Sequence, residues 1–343
     1  MKILKIAIIA DPEIPVPPLL YGGIERIIAM LIDGLIALGH EVTLFANQDS
    51  VTLAKLLSYK GKTSNGKIDI IQNTLLINKE IFFNSYDIIH SFGRLLYLLP
   101  QMPLSIPKIM SYQREPTISQ VKKAVKIAKN NTLFFTGCSA YISKQILPYA
   151  PAFPIFNGVD TDYYTFKEYV DPDAPLTFLG RIEPIKGTHI AIQVAKKTKK
   201  KLVIAGNIPL EYQSYFDTQI LPHLDEQITY IGPVNDEEKN KLLGNSCAFL
   251  MPIEWDEPFG IVMAEAMACG TPVIGFNRGS VPEVVINGQN GYRCDSIYEM
   301  INYISHISEI DRKKVRLDSE QRFSKKVIVD EYLALYQKII LPN

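Results

Sequence analysis

One stretch of the chain, residues 251–278, constrains the fold more than any other. An apolar run ends at Pro252, a short polar loop follows, and Pro258 and Gly260 then introduce a helix that ends at Cys269-Gly270. A second apolar run comes next. This order predicts a strand, a loop, a helix and another strand, which together make a βαβ unit. In such units ligands bind where strands end and helices begin.

The start of this predicted helix is suited to phosphate. The backbone N–H groups of Gly260, Ile261 and Val262 have no partner inside the helix, and the helix dipole favours negative charge there. Two carboxylates flank this position, because Glu257 precedes the helix and Glu265 follows with seven residues between them. At about 1.5 Å per residue, Glu265 lies about 7 Å along the helix from Gly260. The two acids are thus separated by roughly the span from a sugar ring to a ribose, with a diphosphate between.

The two glutamates have two interpretations. A carboxylate accepts hydrogen bonds from paired vicinal hydroxyls, which ribose and hexoses both carry. Alternatively, Glu257 only complements the helix dipole and Glu265 is a solvated helix residue. The residues around Glu265 are apolar on nearly every side, which predicts that it is buried. A buried carboxylate requires a partner.

A charged loop follows the apolar run Leu176–Leu179, which we predict to be a strand. The loop, residues 180–187, reads GRIEPIKG and leads into a helix predicted at Thr188–Lys197. Arg181 and Lys186 are five residues apart at the carboxyl end of the strand, so both can reach one diphosphate. Arginine can hold it through two N–H groups, and lysine acts as a point charge.

These motifs resemble those of the retaining glycosyltransferases of family four, which have the GT-B fold. The resemblance rests on the Glu257-x7-Glu265 pattern around PFGIVMA and on the Gly-Arg-x4-Lys-Gly loop at 180–187. It covers nearly the whole chain and is strongest over Leu179–Arg293. It implies an α/β protein of two Rossmann-like domains, whose parallel sheets face each other across a deep interdomain cleft. Two further segments match family signatures, Asn157–Asp160 and Arg278–Glu283.

The resemblance also implies roles for individual residues. Arg181 and Lys186 would hold the donor diphosphate together with the N–H groups of Gly260, Ile261 and Val262. Glu265 would bind the ribose, and backbone groups around Val234 would receive the base. The transferred sugar would lie against Glu257, Pro258, Phe259 and Gly260.

The first half of the chain begins with a second predicted βαβ unit. A strand at Ile3–Ala10 leads through a proline-rich loop to Tyr21-Gly22-Gly23, and then come a helical pattern and a strand at Val42–Ala46. Two glycines at a helix entrance let a ligand approach the backbone closely, although a Gly-Gly pair alone is more often a simple turn. The resemblance implies that Gly22 and Gly23 face the donor phosphates and that Tyr21 meets the acceptor. The loop lacks the G-x-G-x-x-G spacing of a dinucleotide site.

His90 is the catalytic candidate of this half. It ends a predicted strand, and a side chain at the carboxyl end of a strand is placed for a cleft. A lone histidine is more often structural. Many family members carry H-x-H here, and the second histidine is the one credited with touching the donor sugar, but this sequence has Phe92 at that place. The remaining strands of this half are predicted at Ile68–Ile71, Asp87–His90, Lys108–Ser111, Leu133–Thr136 and Phe153–Ile155.

The polar run that follows the strand at Lys108–Ser111 is predicted to line the same cleft. Within it, Gln113 and Arg114 are the residues that we expect to meet the acceptor. The predicted division of the chain has four parts. They are an N-terminal Rossmann-like acceptor-binding domain (1–160), a linker (161–175), a C-terminal Rossmann-like nucleotide-sugar-binding domain (176–318) and a C-terminal helix returning toward the N-terminal domain (319–343).

The composition indicates which classes of partner and which cellular compartment to expect. The 36 basic residues balance the 36 acidic ones, which gives no reason to expect nucleic acid. The four cysteines are scattered, which fits a reducing compartment. No run of about 20 residues lacks charge, so the sequence predicts no transmembrane helix. The lysine-rich segment 119–131 is either a basic amphipathic helix that makes weak contact with anionic lipid or a solvated helix face. We therefore predict a cytoplasmic protein, with attachment to the inner face of a membrane as the alternative.

The resemblance thus implies a retaining hexosyltransferase-type enzyme. It would move a sugar from a nucleotide-diphosphate donor, for example a UDP- or GDP-sugar, to a hydroxyl of a glycan, lipid-linked or small-molecule acceptor. No metal or other cofactor is expected. In glycosyltransferases of the other common fold an Asp-x-Asp triplet holds a divalent metal, but the two triplets of this chain fall in the predicted linker, where such residues ordinarily form turns. The alternatives are a sugar-nucleotide epimerase of the same architecture, a catalytically silent nucleotide-sugar-binding protein and an oxidoreductase. The oligomeric state and the acceptor are left open.

Overall fold

The computed structural model describes residues 2–19 and 22–340. The chain forms two compact units, and the division falls at Gly158/Val159 and again at Ser324/Lys325. The first unit contains the chain before the first division and the segment after the second, and the second unit contains Val159–Ser324. Each unit has one parallel sheet with helices around it. The predicted α/β class with two Rossmann-like sheets is confirmed.

The first unit contains a seven-stranded parallel sheet with the order β3-β2-β1-β4-β5-β6-β7. Every residue of β4 and β5 is buried, as expected for strands covered on both faces. The seven strands are β1 (Lys5–Ile9), β2 (Glu41–Ala46), β3 (Lys55–Ser58), β4 (Ile88–Ser91), β5 (Lys108–Tyr112), β6 (Leu133–Gly137) and β7 (Ala152–Pro154).

The second unit contains a six-stranded parallel sheet with the order β10-β9-β8-β11-β12-β13. Its strands are β8 (Leu176–Leu179), β9 (Leu202–Ala205), β10 (Ile228–Tyr230), β11 (Ala248–Met251), β12 (Val273–Phe276) and β13 (Gly291–Cys294). The chain builds outward from β8 in one direction and from β11 in the other. The boundary between these two adjacent strands is the topological switch point, where open α/β sheets bind ligands.

Twelve α-helices connect and cover the two sheets within the described residues. They are α1 (Gly23–Ala37), α2 (Lys67–Phe83), α3 (Ile118–Ile127), α4 (Ala140–Ile146), α5 (Thr188–Thr198), α6 (Gln213–Tyr215), α7 (Asp236–Gly244), α8 (Ile261–Ala268), α9 (Val281–Val284), α10 (Ile297–Ile304), α11 (Arg312–Phe323) and α12 (Lys325–Ile340). Across residues 2–19 and 22–340, none of the helices is long and apolar enough to span a bilayer.

Two sequence-based assignments were wrong. The predicted strand at Ile68–Ile71 is the first part of α2, because the apolar pattern continues through Ile77 and Ile81, which the helix buries. A four-residue apolar run alone does not distinguish a strand from a helix. The C-terminal helical pattern is also interrupted. The N–H of Val159 donates to the Phe323 carbonyl (2.8 Å), and Ser324 is extended, so that α11 and α12 are separate helices.

Residues 161–175, which the sequence predicts to be a linker, lie in the second unit. The Lys167 N–H donates to the Cys269 carbonyl (3.1 Å), and the Arg312 Nε–H donates to the Lys167 carbonyl (2.7 Å). The Tyr164 carbonyl accepts from Arg316 in the same way (3.0 Å). This segment is therefore bound to the body of the second unit by hydrogen bonds.

The C-terminal helix α12 belongs to the first unit, where it packs on α1 and on the sheet. A Cβ at Gly34 of α1 would lie 2.4 Å from a methyl group of Val329, so only glycine permits this close approach. A buried polar network joins α12 to the sheet. His90 Nδ1 bonds the Tyr336 hydroxyl (2.6 Å), and His90 Nε2 bonds the Ser111 hydroxyl (2.6 Å).

His90 is fully enclosed in this structure, with an exposure of 0%. Its ring packs on that of Phe92 with 4.2 Å between centroids, and burial lowers its pKa to about 3. The prediction of a histidine open to a ligand is therefore wrong in this structure, because both ring nitrogens are bonded to protein hydroxyls. The alternative of a structural histidine agrees with these contacts.

We expect His90 to make the first unit sensitive to mild acid. Its pKa is about 3 in the folded state and about 6.5 in an unfolded chain, so only the unfolded state binds the proton between these values. The stabilising contribution is complete above pH 6.5 and is lost as the pH falls toward 3, by about 1.4 kcal/mol per pH unit. Urea unfolding followed by circular dichroism at pH 7 and 5.5 should show this loss in the wild type and not in His90→Asn.

Tyr336→Phe is the matched control for this measurement. It removes one hydrogen bond, worth about 1 kcal/mol, but keeps the buried histidine and hence the pH dependence. Equal pH dependence in the wild type and in His90→Asn would show that His90 does not titrate as we expect.

Candidate functional site

The candidate site lies at the carboxyl edge of the second sheet, at the switch point between β8 and β11. The loop after β8 carries Arg181 and Lys186, and the loop after β11 carries Glu254 to Glu257 before α8 begins. The two loops are in contact, since the N–H of Glu254 donates to the Ile185 carbonyl (2.8 Å). Strand order therefore brings together two motifs that are about 70 residues apart in the chain.

Gly187 allows this contact between the loops. It closes the short 3-10 turn Pro184–Lys186 with φ +76°, in the left-handed region that favours glycine. A Cβ at Gly187 would lie 1.9 Å from the carbonyl oxygen of Pro252, at the end of β11. Any larger residue would push the loops apart and move Lys186, which directly precedes Gly187.

Lys186 is held at the center of this contact. Its Nζ donates to Glu257 Oε2 (2.7 Å) and lies 4.5 Å from the ring centroid of Trp255. The indole N–H of Trp255 donates to the same carboxylate oxygen (3.0 Å). One carboxylate, one ammonium and one indole thus form a closed group just before α8. The sequence analysis did not single out Trp255, because only the fold shows that its ring reaches Lys186.

Arg181 lies on the same loop as Lys186 but is more open. Its side chain is 42% exposed, and Nη2 lies 2.9 Å from Oε1 of the buried Glu183. The geometry is that of an ion pair without an aligned hydrogen bond, since this oxygen has no hydrogen-bond partner among the described residues. The guanidinium therefore keeps N–H groups directed to solvent at the edge of the sheet.

A second loop fixes the start of α8. Gly260 caps the helix with φ +72°, and a Cβ at Gly279 would lie 2.4 Å from backbone atoms of Glu257. Ser280 bonds this segment twice, with its N–H to the Glu257 carbonyl (2.9 Å) and its hydroxyl to the Phe259 carbonyl (2.9 Å). The segment from Glu257 to Gly260 is therefore held on both sides.

Not all residues of the predicted sugar site offer side chains to a ligand. Pro258 and Phe259 are buried, and the Phe259 ring packs on Phe323 with 5.7 Å between centroids. The backbone of Ile261 and Val262 forms the first turn of α8, as predicted, and both residues are half-buried.

Glu265 is 5% exposed and has the partner that its predicted burial requires. Its Oε1 accepts hydrogen bonds from the Tyr164 hydroxyl (2.6 Å) and from Lys239 Nζ (2.6 Å). Burial raises the pKa of Tyr164, and the carboxylate of Glu265 raises it further. Burial opposes charge on Lys239, but the carboxylates of Glu265 and Asp236 together outweigh it, so the pKa of Lys239 is raised.

A glycine lies at the carboxyl end of each of the strands β8, β9 and β10. Gly180, Gly206 and Gly232 follow β8, β9 and β10, and the Gly206 N–H donates to the Gly232 carbonyl (2.8 Å). A Cβ at Gly206 would lie 1.8 Å from the Gly180 carbonyl oxygen, so these strand ends approach closely. Val234, predicted to lie near the base, is half-buried in the loop between β10 and α7. The Tyr230 hydroxyl donates to the Gly206 carbonyl at this edge (2.7 Å).

The first unit carries the other predicted residues at its own carboxyl edge. Tyr21 lies outside the described residues. Gly22 and Gly23 form the entrance of α1, as predicted. Neither amide atom of Gln113 has a hydrogen-bond partner among residues 2–19 and 22–340, and Arg114 is exposed with Nη2 3.8 Å from Asp11 Oδ2.

Asp11 is a residue of this edge that the sequence analysis did not assign a role. It follows β1 at the switch point between β1 and β4, and its Oδ1 accepts from the Arg94 N–H (3.2 Å). Burial raises the pKa of Asp11 to about 6, and the charge of Glu13 adds to this, although Arg114 and Arg94 oppose it. The sequence could have identified Asp11, because an aspartate directly follows the strand predicted at Ile3–Ala10.

The two Asp-x-Asp triplets form turns, as the sequence predicts. The Asp162 N–H donates to Asp160 Oδ1 (3.2 Å), and the Asp173 N–H donates to Asp171 Oδ1 (2.8 Å). In the part of the chain that the structure describes, no three His, Cys, Asp or Glu side chains converge in a group that could hold a metal ion.

Comparison with known proteins defines the class. Over 98–99% of this chain, the fold matches solved structures that include AviGT4, a glycosyltransferase involved in avilamycin A biosynthesis, and the Anabaena protein HepE in complex with UDP and glucose. The TM-scores are 0.72 and 0.71, the identities 24% and 18%, and the coverage of those chains 99% and 100%. The fold is GT-B, as predicted.

The sequence comparison indicates a family. Residues 166–326 match the family model described as "Glycosyl transferases group 1", which takes in the loops after β8 and β11. The chain is also 25% identical to spore coat protein SA of Bacillus subtilis, over 98% of this chain and 100% of that protein. Residues 166–326 thus resemble the group 1 glycosyl transferases, and the chain shares the GT-B fold with solved glycosyltransferases.

We expect the Glu265–Lys239 pair to stabilise the second unit through mutual compensation. Glu265→Gln leaves the Lys239 ammonium buried without its main counter-charge, so the free energy of unfolding should fall by roughly 3 kcal/mol. Trp255 is the only tryptophan of the chain and lies in this unit, so urea unfolding followed by its fluorescence measures the change.

The double variant Glu265→Gln/Lys239→Met tests whether the two charges are coupled. It should lose less stability than the sum of the two single variants, because neither charge is then left alone. If the losses simply add, the two side chains do not compensate each other.

Proposed function

We propose that this protein is a glycosyltransferase, which moves a sugar from a nucleoside-diphosphate sugar to a hydroxyl group of an acceptor. The observation that supports it most is the group formed by Lys186, Glu257 and Trp255 directly before α8, at the switch point of the second sheet. A cation, a helix N-terminus and a carboxylate are within a few ångströms of one another there. This combination suits a diphosphate joined to a polyhydroxylated ring.

The proposed roles follow from the charges. Arg181 and Lys186, with the first N–H groups of α8, would bind the diphosphate. These donors would stabilise the negative charge that grows on the leaving group as the bond from the sugar carbon to the phosphate oxygen breaks. Two cations beside the diphosphate would do the work of a divalent ion, so we expect transfer to continue in the presence of EDTA.

Glu257 and Glu265 would bind the two sugars of the donor. When a diphosphate attracts Lys186, the Glu257 carboxylate is released to accept hydrogen bonds from hydroxyls of the transferred sugar. Both hydrogen bonds of Glu265 end on Oε1, which leaves Oε2 as the acceptor for the ribose diol. Backbone groups near Val234 would receive the base.

We propose retention of configuration at the sugar carbon, on the resemblance to the retaining glycosyltransferases of family four. The acceptor oxygen would bond to the sugar carbon on the face from which the phosphate leaves. The acceptor proton would pass to the departing phosphate oxygen, so that no protein base is needed. The acceptor would bind at the first unit, where Gln113, Arg114 and Asp11 supply polar groups at the sheet edge.

The donor is tested first with UDP-sugars, because HepE was solved with UDP and glucose. A thermal-shift screen with UDP-, GDP-, ADP- and dTDP-sugars would identify the nucleotide, and acceptor mixtures would then be offered with the stabilising donor. A product in which the altered sugar stays on its nucleotide would instead indicate an epimerase. Binding of a donor that is never consumed would indicate a silent binding protein.

We expect Lys186→Ala and Arg181→Ala each to reduce transfer by roughly 10- to 100-fold, since each removes a charge-assisted hydrogen bond that strengthens in the transition state. The initial rate of transfer is the measurement. Lys197→Ala, on the exposed end of α5, is the matched control and should leave the rate unchanged. Unchanged turnover in both site variants would contradict the assigned roles.

Trp255 provides a direct signal of diphosphate binding. The Trp255 ring contacts Lys186, and its N–H bonds Glu257. If the Lys186 side chain moves away to bind a diphosphate, the fluorescence of Trp255 should therefore change. Titration with UDP should give a saturable change in the wild type and a roughly tenfold weaker one in Lys186→Gln. No change with any nucleoside diphosphate that stabilises the protein would place the diphosphate away from Lys186.

A further inference from the structure

The helix α2 has apolar side chains on two opposite sides. Its inner side is buried in the first unit by Ile77 and Ile81, as expected for a surface helix. Its outer side carries five large apolar residues whose exposures range from 58% to 76%. These are Ile68, Ile71, Leu75, Phe82 and Phe83. A surface helix ordinarily presents polar residues on this side, so the outer side needs a separate explanation.

Four of these exposed residues form a stripe along one side of the helix. On a helix of 3.6 residues per turn, positions 68, 71, 75 and 82 fall on the same side, and they extend over about 20 Å. The rings of Phe82 and Phe83 stand edge to face at its end, with 5.2 Å between centroids. Single exposed apolar residues are common, but a contiguous patch marks a surface that binds something.

The charges around the stripe indicate which surface it binds. Lys67 and Lys79 are exposed, and helical spacing places them on opposite sides of the stripe. The acidic residues of α2 are occupied within the unit, since Asp69 accepts from the Thr63 N–H (2.9 Å) and Glu80 pairs with Lys55 (2.7 Å). The stripe is therefore flanked by positive charge.

We propose that the outer face of α2 binds the surface of an anionic lipid bilayer. The helix would lie in the interface with its apolar stripe among the acyl chains, and Lys67 and Lys79 would extend to lipid phosphates. Contact with a second copy of the chain through this face would bring lysines of both copies together, which the charge distribution opposes.

The helix α3 shows why the apolar stripe matters. The sequence analysis left two interpretations of the segment 119–131, contact with lipid or a solvated helix face, and α3 does expose Lys122, Lys123 and Lys126. Its buried side contains Val121 and Ala124, and Ile127 is the large apolar residue that it exposes. Such a face attracts an anionic surface but has little to insert, whereas α2 combines both properties.

Vesicle sedimentation of the full chain tests the proposal without donor or acceptor, so its outcome is separate from that of the proposed transfer reaction. The protein should sediment with vesicles of phosphatidylcholine and phosphatidylglycerol, and much less with phosphatidylcholine alone. Ile71→Ser/Leu75→Ser should weaken binding roughly tenfold or more. Lys67→Gln/Lys79→Gln should weaken it roughly fivefold per lysine and reduce its salt dependence.

The control is Leu210→Ser, which removes an exposed apolar side chain from the second unit and should leave binding unchanged. Circular dichroism verifies that each variant is folded, which we expect because all the substituted side chains are exposed. Equal binding by the wild type and Ile71→Ser/Leu75→Ser, or no binding to anionic vesicles, would overturn the proposal. So would a dimer in light scattering that Ile71→Ser/Leu75→Ser abolishes, since the face would then bind a second copy.

Discussion

The adjacency of β8 and β11 in the second sheet is the constraint on which the candidate site depends. The two strands are neighbours although two other strands come between them in the chain, and their carboxyl ends therefore place two distant loops side by side. Gly187 allows these loops to touch, because its missing Cβ leaves room for the Pro252 carbonyl. Lys186 reaches Glu257 as a direct result. The proposed chemistry depends on this contact, and so on the adjacency of the two strands.

The site compensates its charges in pairs. Lys186 pairs with Glu257, Lys239 with Glu265, and Arg181 with Glu183. A partly buried charge needs a counter-charge in the absence of ligand, and these pairs supply it. They differ in how easily they exchange partners. Glu265 is held by both Lys239 and Tyr164 in a buried setting, whereas Arg181 is open to solvent. The Lys239–Glu265 pair therefore stabilises the second unit, whereas Arg181 is open to an incoming anion.

The residues that the sequence identified were those whose role depends on a local pattern. Arg181, Lys186, Glu257 and Glu265 each belong to a short motif at a strand end or helix start, where the backbone dictates the environment. Trp255, Tyr164 and Lys239 were missed, because their main contacts are with residues that are remote in the chain. Trp255 contacts Lys186, and both Tyr164 and Lys239 bond Glu265. His90 shows the opposite error. A strand-end position predicted an open side chain, but packing of α12 enclosed it.

From the sequence alone, the α/β class, the two-sheet plan and the motif residues of the second unit could be determined, because strand periodicity, glycine positions and charge spacing act over short stretches of chain. Tertiary structure decided what depends on long-range packing. It showed α2 where a strand was predicted, joined residues 161–175 to the second unit and returned α12 to the first. It also determined which side chains are buried. A side chain's partners come from other parts of the chain, and the order of strands in the sheet, which no local pattern specifies, selects them.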